Sequence, residues 1–213
     1  MDIKRIDTGG IINLEPLDDT SWYWGMDCTG GDLYEAEELF SDKSEVDRTR
    51  LIFIHYPDGK VYEPVKAEAG QYFGKPISCE EGVFCLLVDF NKRQIMILQC
   101  AADMLSASEH AQLPLDVVPD CFNLMLGKDP LILIRQGFEG TFQIVWPDKG
   151  NFTRVVGEDF VFRDGDRLYC TAWHEDPDYR EEVVVRKYPS GEIIERFDGA
   201  LHSMPNQQHW LLL

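Results

Sequence analysis

The sequence predicts an all-β fold in a single domain, residues 1–213, and specifically a five-bladed β-propeller whose last blade is shared between the N- and C-termini. Three observations lead to this prediction. Glycine-containing turns recur along the chain, short apolar or β-branched runs lie between them, and the spacing of the turns closes around the whole sequence. A two-sheet β-sandwich is the alternative fold.

The first family of turns has a recurrent composition. Each turn ends in glycine, and in three of the four an aromatic residue precedes proline. Proline sets φ at the first corner of a turn, and glycine accepts the positive φ that closes it. These turns therefore predict hairpins between the flanking apolar runs. The four segments are Asp7-Thr8-Gly9-Gly10, Tyr56-Pro57-Asp58-Gly59, Trp146-Pro147-Asp148-Lys149-Gly150 and Tyr188-Pro189-Ser190-Gly191.

A second family of turns alternates with the first and supplies the repeat. Its members are Gly30-Gly31, Glu81-Gly82, Gly127-Lys128, Asp164-Gly165 and Pro205-Asn206. Counted from the last turn through the C-terminus and on to the first, the spacing averages about 43 residues, which is the length of a propeller blade of four strands. The repeat thus predicts five blades.

The strands of the last three blades follow from these turns. Blade three is predicted at Cys121–Leu126, Leu131–Arg135, Thr141–Trp146 and Phe152–Val156, and blade four at Phe160–Phe162, Arg167–Trp173, Glu182–Tyr188 and Glu192–Phe197. The ends of the chain are predicted to complete each other. The inner strands of blade five are then Leu201–Met204 and His209–Leu213, and its outer strands are Ile3–Asp7 and Ile11–Glu15.

Two segments fit more than one structure. Residues 32–40 begin with an Asp-x-x-Glu capping box and have apolar residues at helical spacing, and residues 101–113 could also form a short helix. Either segment could instead be a strand with a long loop. No linker divides the chain.

Charge and composition restrict the partners. The net charge is −18, which opposes binding to nucleic acid and to an anionic membrane surface. A basic protein, a cation or a neutral ligand such as a sugar is compatible with that charge. The first residues lack a signal-peptide core, and the six cysteines form no CxxC pair or disulfide framework, so we expect a cytoplasmic protein with reduced thiols.

No catalytic or cofactor-binding motif occurs in the sequence, so we expect no cofactor. In a propeller, ligands approach the mouth of the central channel, where the innermost strands begin. Carboxylates fall near that position in three blades, and two facing carboxylates can hydrolyse a glycosidic bond. The candidate catalytic residues are Asp19, Asp120 and Asp159, and the candidate binding residues are Trp22, Tyr72, Asn123 and His202. The competing interpretation is that the aspartates cap turns and the aromatic residues pack between blades.

One loop concentrates oxygen ligands. Asp176 and Asp178 are two residues apart and could hold a hard cation, although the loop lacks the glycine and the distal glutamate of a calcium-binding loop. We therefore predict no metal site beyond this weak candidate.

Two functions compete on the sequence. The first is a non-catalytic binding or scaffold protein that holds a small molecule or a protein, which the absence of a nucleophile–base motif favours. The second is a small carbohydrate-active enzyme that uses two of the candidate carboxylates.

Overall fold

The computed structural model describes residues 3–43, 49–175, 178–204 and 208–213. The predicted all-β fold is confirmed, because the described chain consists of five small antiparallel sheets with one α-helix. None of these sheets closes on itself. The chain divides into two compact units, Met1–Met125 and Leu126–Leu213.

The first sheet has four strands in sequence order: β1 at Glu15–Pro16, β2 at Trp22–Met26, β3 at Leu51–His55 and β4 at Val61–Tyr62. Strand β3 is apolar on both faces because both faces are covered. Phe53 lies in the main core of the first unit with Trp24, whereas Ile52 and Ile54 pack with Ile11 in a second cluster.

Helix α1, at Leu33–Ser41, settles the first ambiguous segment. The Asp32 carboxylate accepts hydrogen bonds from the backbone N–H groups of Tyr34 and Glu35, which is the N-cap that the sequence suggested. Leu33 and Ala36 are buried, so the apolar stripe faces the core of the first unit.

The second sheet contains five strands: β5 at Gln71–Phe73, β6 at Ile77–Cys79, β7 at Gly82–Asp89, β8 at Gln94–Cys100 and β9 at Ala107–Pro114. Both β5 and β6 pair with β7, and β8 and β9 follow in order. The second ambiguous segment, residues 101–113, is therefore a turn followed by the exposed strand β9, not a helix. A single 3₁₀ turn follows at Leu115–Val117.

The third and fourth sheets are meanders of four sequential strands. The third contains β10 at Leu124–Gly127, β11 at Ile132–Gln136, β12 at Thr141–Trp146 and β13 at Gly150–Thr153. The fourth contains β14 at Glu158–Asp164, β15 at Arg167–His174, β16 at Arg180–Lys187 and β17 at Ile193–Asp198. These bounds lie close to those predicted for blades three and four.

A core cluster joins β11 and β12 to the fourth sheet within the second unit. Ile134 and Phe142 are fully buried there together with Leu168, and Tyr188 closes the cluster. The three aromatic–proline turns contain cis peptide bonds, at Tyr56–Pro57, Trp146–Pro147 and Tyr188–Pro189.

The fifth sheet is a hairpin of two strands, β18 at Ala200–Met204 and β19 at Gln208–Leu212. Their positions match the prediction for the C-terminal end of the chain. Gly199 joins β17 to β18, and its N–H donates to the Glu181 carbonyl oxygen at 2.9 Å. The hairpin therefore continues from the edge of the fourth sheet.

The two strands predicted near the N-terminus are wrong. Residues 3–14 form no strand, and Glu15 pairs with Trp24 in the first sheet instead of with the C-terminal strands. The predicted turn is present, with positive φ at Gly9 and Gly10. The apolar pattern that suggested a strand has another physical cause, since Ile11 is buried by side-chain packing against Ile52 and Ile54.

Candidate functional site

The β18–β19 hairpin has one face anchored on the fourth sheet. Paired residues of an antiparallel sheet share a face, so Ser203, His209, Leu201 and Leu211 point to the same side. On that side the His209 ring stacks on Phe162, with 3.6 Å between ring centroids and 6° between ring planes. This stack, on a residue of β14, identifies the inner face of the hairpin.

The opposite face of the hairpin is open to solvent. His202 lies opposite Trp210 and Ala200 lies opposite Leu212, so these four residues share the outer face. Trp210 and Leu212 are each 51% exposed. We call His202, Trp210 and Leu212 the hairpin face. Large apolar side chains gathered on one open surface mark an interaction site more often than a single exposed apolar residue does.

Exposed apolar residues continue beside the hairpin on β17, the strand that leads into it. Ile193, Ile194 and Phe197 are all exposed, and so is every other residue of β17. Exposed apolar side chains therefore also occur on β17, outside the hairpin face.

The surroundings of His209 favour the neutral form of its imidazole. Burial lowers the pKa of its imidazole below the ordinary value of 6.5, and nearby Lys128 lowers it further, while Asp164 acts in the opposite direction. The His209 Nδ1 atom lies 3.3 Å from the Ser203 hydroxyl oxygen across the hairpin. A neutral ring is the form that stacks on Phe162 without the cost of burying a charge.

A second cluster of polar and aromatic groups lies in the first unit, at the end of the first sheet. The Trp22 ring contacts His55, with centroids 4.8 Å apart, and Tyr62, with centroids 5.3 Å apart. The His55 Nδ1 atom lies 3.1 Å from Asp58 Oδ1. The Lys60 backbone N–H and this imidazole hold the pKa of Asp58 below its ordinary value despite partial desolvation. We call Trp22, His55, Asp58 and Tyr62 the Trp22 cluster.

The Trp22 cluster lies beside one predicted catalytic residue. The β1–β2 turn carries Asp19, and the β3–β4 turn follows His55. These two turns meet where the Tyr56 N–H donates to the Ser21 carbonyl oxygen at 2.8 Å. Asp19 is exposed and adopts a left-handed conformation with φ of 56°. The structure thus brings Asp19 and Trp22 to the same end of one sheet.

The other predicted carboxylates make local contacts. Asp120 accepts a hydrogen bond from the Phe122 N–H at 2.9 Å, which is the turn-forming use of aspartate. Asp159, in the second unit, lies 3.1 Å from Arg154 Nη1 and is 66% exposed. Asn123 is exposed with φ of 45°.

The remaining candidates fall in different environments. Tyr72 is 1% exposed, and its ring packs edge-on against Phe90 in the first unit. Asp178 is exposed, whereas Asp176 lies outside the described residues. Within the described ranges, no three His, Cys, Asp or Glu side chains are placed to hold a metal ion.

Sequence reasoning missed a deeply buried ion pair, between Glu158 and Arg186. Two short hydrogen bonds join them: Nε to Oε1 at 2.6 Å and Nη2 to Oε2 at 2.7 Å. Glu158 is 0% and Arg186 5% exposed. Neither residue belongs to a motif, and Arg186 lies in a strand whose other inward residues are valines, so no sequence signal distinguished the pair. It orders the β13–β14 turn, because Glu158 also accepts the Val155 N–H at 2.7 Å.

Comparison with known proteins adds no family assignment. No protein-family model, no curated protein and no solved structure matches this chain. No helix in the described ranges is long and apolar enough to cross a membrane.

Proposed function

We propose that this chain is a non-catalytic binding protein that holds a protein partner on the hairpin face. The observation that carries the proposal is the half-exposed pair of Trp210 and Leu212 on one side of the β18–β19 pair. Tryptophan at the centre of a surface patch is enriched among residues that contribute most to protein–protein affinity. Covering the exposed half of such a ring contributes about 2 to 3 kcal/mol through apolar burial.

The proposed framework is a five-bladed propeller in which the fifth blade has only its two inner strands. The first, third and fourth sheets support this proposal, since each is a meander of four strands in sequence order. The repeat of about 43 residues in the sequence also supports it. On this framework the fifth sheet is half the size of the others, and an open surface at that position is what a partner would cover.

The test compares two variants of the hairpin face with a matched control. We expect Trp210→Asp and Leu212→Asp to lose one specific protein that the wild-type chain retains from a cytoplasmic extract. Ile194→Asp on β17, where the side chain is 45% exposed, should retain that protein. Identical retention by all four chains, confirmed with the purified protein, would contradict the proposal.

A second candidate function is carbohydrate binding or hydrolysis at the Trp22 cluster. The observation that favours it is an ionised Asp58 beside His55 and the Trp22 ring, because carboxylates accept sugar hydroxyls and aromatic rings pack on the apolar faces of sugars.

Thermal unfolding with maltohexaose, cellohexaose and chitohexaose tests this second function. Stabilisation by one sugar that is lost in Asp58→Asn, but kept in Lys60→Gln, would support a binding site at the cluster. Hydrolysis of the same sugar that is lost in Asp19→Asn would support an enzyme, with Asp120→Asn and Asp159→Asn as the further tests. Unchanged unfolding with every sugar would exclude these ligands.

A further inference from the structure

The edge of β19 lacks the features that keep sheet edges from pairing. Strands β18 and β19 contain no Asp, Glu, Lys or Arg, although 27% of the chain is charged. Their pairing from Ala200–Leu212 to Met204–Gln208 is regular and contains no bulge. In the described residues, β18 lies on one side of β19 and no strand lies on the other.

The last strands of the other four sheets are all protected. Strand β4 has two residues and β13 has four, so both are short. Strand β9 carries Glu109, ends at Pro114 and has a bulge in its pairing with β8. Strand β17 carries Glu195 and Arg196 and also has a bulge. Because natural proteins protect exposed edges in these ways, an uncharged and regular edge indicates that another strand covers it.

We propose that β19 binds an extended, basic strand of a partner protein, which adds to the hairpin as its third strand. The inference rests on the proposed function, since it names how the hairpin face holds its partner. Backbone hydrogen bonds to β19 would supply affinity, and alternate apolar side chains of the added strand would lie over Trp210 and Leu212.

Charge decides the kind of partner. The net charge of −18 repels a second copy of the chain and attracts a basic protein. The hairpin is itself uncharged, Asp198 precedes β18, and the His209 ring lies near both Lys128 and Asp164, so the attraction for a basic strand comes from the net charge of the whole chain. An apolar strand with lysine or arginine at its ends matches this arrangement.

The experiment uses the full chain and a synthetic strand, acetyl-Lys-Lys-Val-Thr-Val-Thr-Val-Lys-Lys-amide, labelled for fluorescence anisotropy. Two peptides serve as controls: one has glutamate in place of lysine, and one is N-methylated on every Val and Thr residue so that neither of its edges can pair with β19. Leu212→Lys introduces an edge charge on β19, and Ile194→Lys is the matched variant on β17. Hydrogen exchange of β19 amides locates the binding, and light scattering gives the oligomeric state.

We expect the lysine peptide to bind the wild-type chain and Ile194→Lys, and to bind Leu212→Lys about tenfold more weakly. The glutamate peptide should also bind about tenfold more weakly, and the N-methylated peptide should not bind. Peptide binding should slow exchange of the β19 amides. This last measurement uses the wild-type chain and remains valid if Leu212→Lys does not fold.

Four results would overturn the inference. Equal binding of the N-methylated peptide would show docking on the face without strand addition, and equal binding of the glutamate peptide would exclude a basic partner. A wild-type dimer that Leu212→Lys dissociates would make a second copy the occupant. If no peptide binds while Trp210→Asp still loses its protein partner, strand addition fails and the proposed function stands.

Discussion

Disruption of the buried Glu158–Arg186 pair should cost a large share of the stability of the second unit. Glu158→Met leaves the Arg186 guanidinium buried with hydrogen bonds only to the carbonyl oxygens of Gly191, at 2.6 Å, and Thr153, at 3.4 Å. Arg186→Met leaves the Glu158 carboxylate with the Val155 N–H alone among these partners. Because each single variant leaves a buried charge without its counter-ion, we expect each to lower the free energy of unfolding by about 3 to 5 kcal/mol.

The double variant separates the cost of a lone charge from the value of the pair. With both residues changed to methionine, neither member of the pair remains as a lone buried charge, and the loss reduces to unsatisfied backbone groups at Val155 and Gly191. That loss is about 1 to 3 kcal/mol. The double variant should therefore be more stable than either single variant, which corresponds to a coupling free energy of several kcal/mol.

Urea unfolding measures all three variants through the midpoint and the slope of the transition. The matched control is the exposed pair Arg167–Glu195, whose closest atoms are 3.7 Å apart and whose side chains are 48% and 45% exposed. Changing either of its members should cost less than about 1 kcal/mol. A loss below about 1 kcal/mol for both buried single variants, or additive losses in the double variant, would refute the reasoning.

Three further predictions concern protonation and capping. Burial lowers the pKa of His209 in the folded chain, so below pH 6.5 the unfolded chain binds more protons at this residue than the folded chain does. The urea midpoint of the wild-type chain should therefore fall as pH drops through 6.5, and the midpoint of His209→Gln should fall less. Burial opposes ionisation of Glu182, but hydrogen bonds from Arg196 and His174 outweigh burial and lower its pKa. The ionised Glu182 should therefore stabilise the folded chain fully above pH 4.5, and this contribution should disappear as pH falls below that value. Glu182→Gln should lack the contribution at every pH. Asp32→Ala should lower the free energy of unfolding by about 1 kcal/mol through loss of the helix cap, whereas Asp32→Asn should change it little. Equal losses of stability for the two variants in circular-dichroism melts would exclude a capping role for Asp32.

Local turn chemistry made much of the strand pattern predictable. Aromatic–proline turns and glycines bounded the strands of the third and fourth sheets, and the observed bounds differ from the predicted ones by a few residues. The Asp32 cap identified α1 as one of two possibilities. The structure decided for the helix because Leu33 and Ala36, three residues apart, are both buried.

The N-terminal strands could not be predicted because strand pairing depends on distant residues. The pattern of apolar and polar residues in Ile11–Glu15 is compatible with a strand, but a segment without strand pairing that packs one side chain on a sheet shows the same pattern. Ile11 is such a side chain, since it is 5% exposed and packs against Ile52 and Ile54. A pattern of apolar residues indicates which side chains are buried, but it does not indicate whether their backbone pairs with a neighbouring strand.

The candidate site could be predicted only in part, because the sequence does not show which face of a strand is covered by other parts of the chain. The sequence predicts His202 at the mouth of the channel, whereas it assigns Trp210 only to the predicted inner strand His209–Leu213. Both residues lie on the hairpin face, and Trp210 is 51% exposed. The aspartates were selected as a set, but Asp120 makes the turn contact that competes with any catalytic role.

The absence of charge on β18 and β19 carries more information than their apolar content. Apolar residues alone would fit a buried strand. A regular, uncharged and exposed edge combines features that favour pairing with another strand, and the other four sheets of the chain avoid that combination by short length, charge, proline or bulges. Since the last strands of the other four sheets show the usual protection, a covering strand explains the unprotected β19, and amide exchange of β19 in the presence of the lysine peptide is the direct test of that explanation.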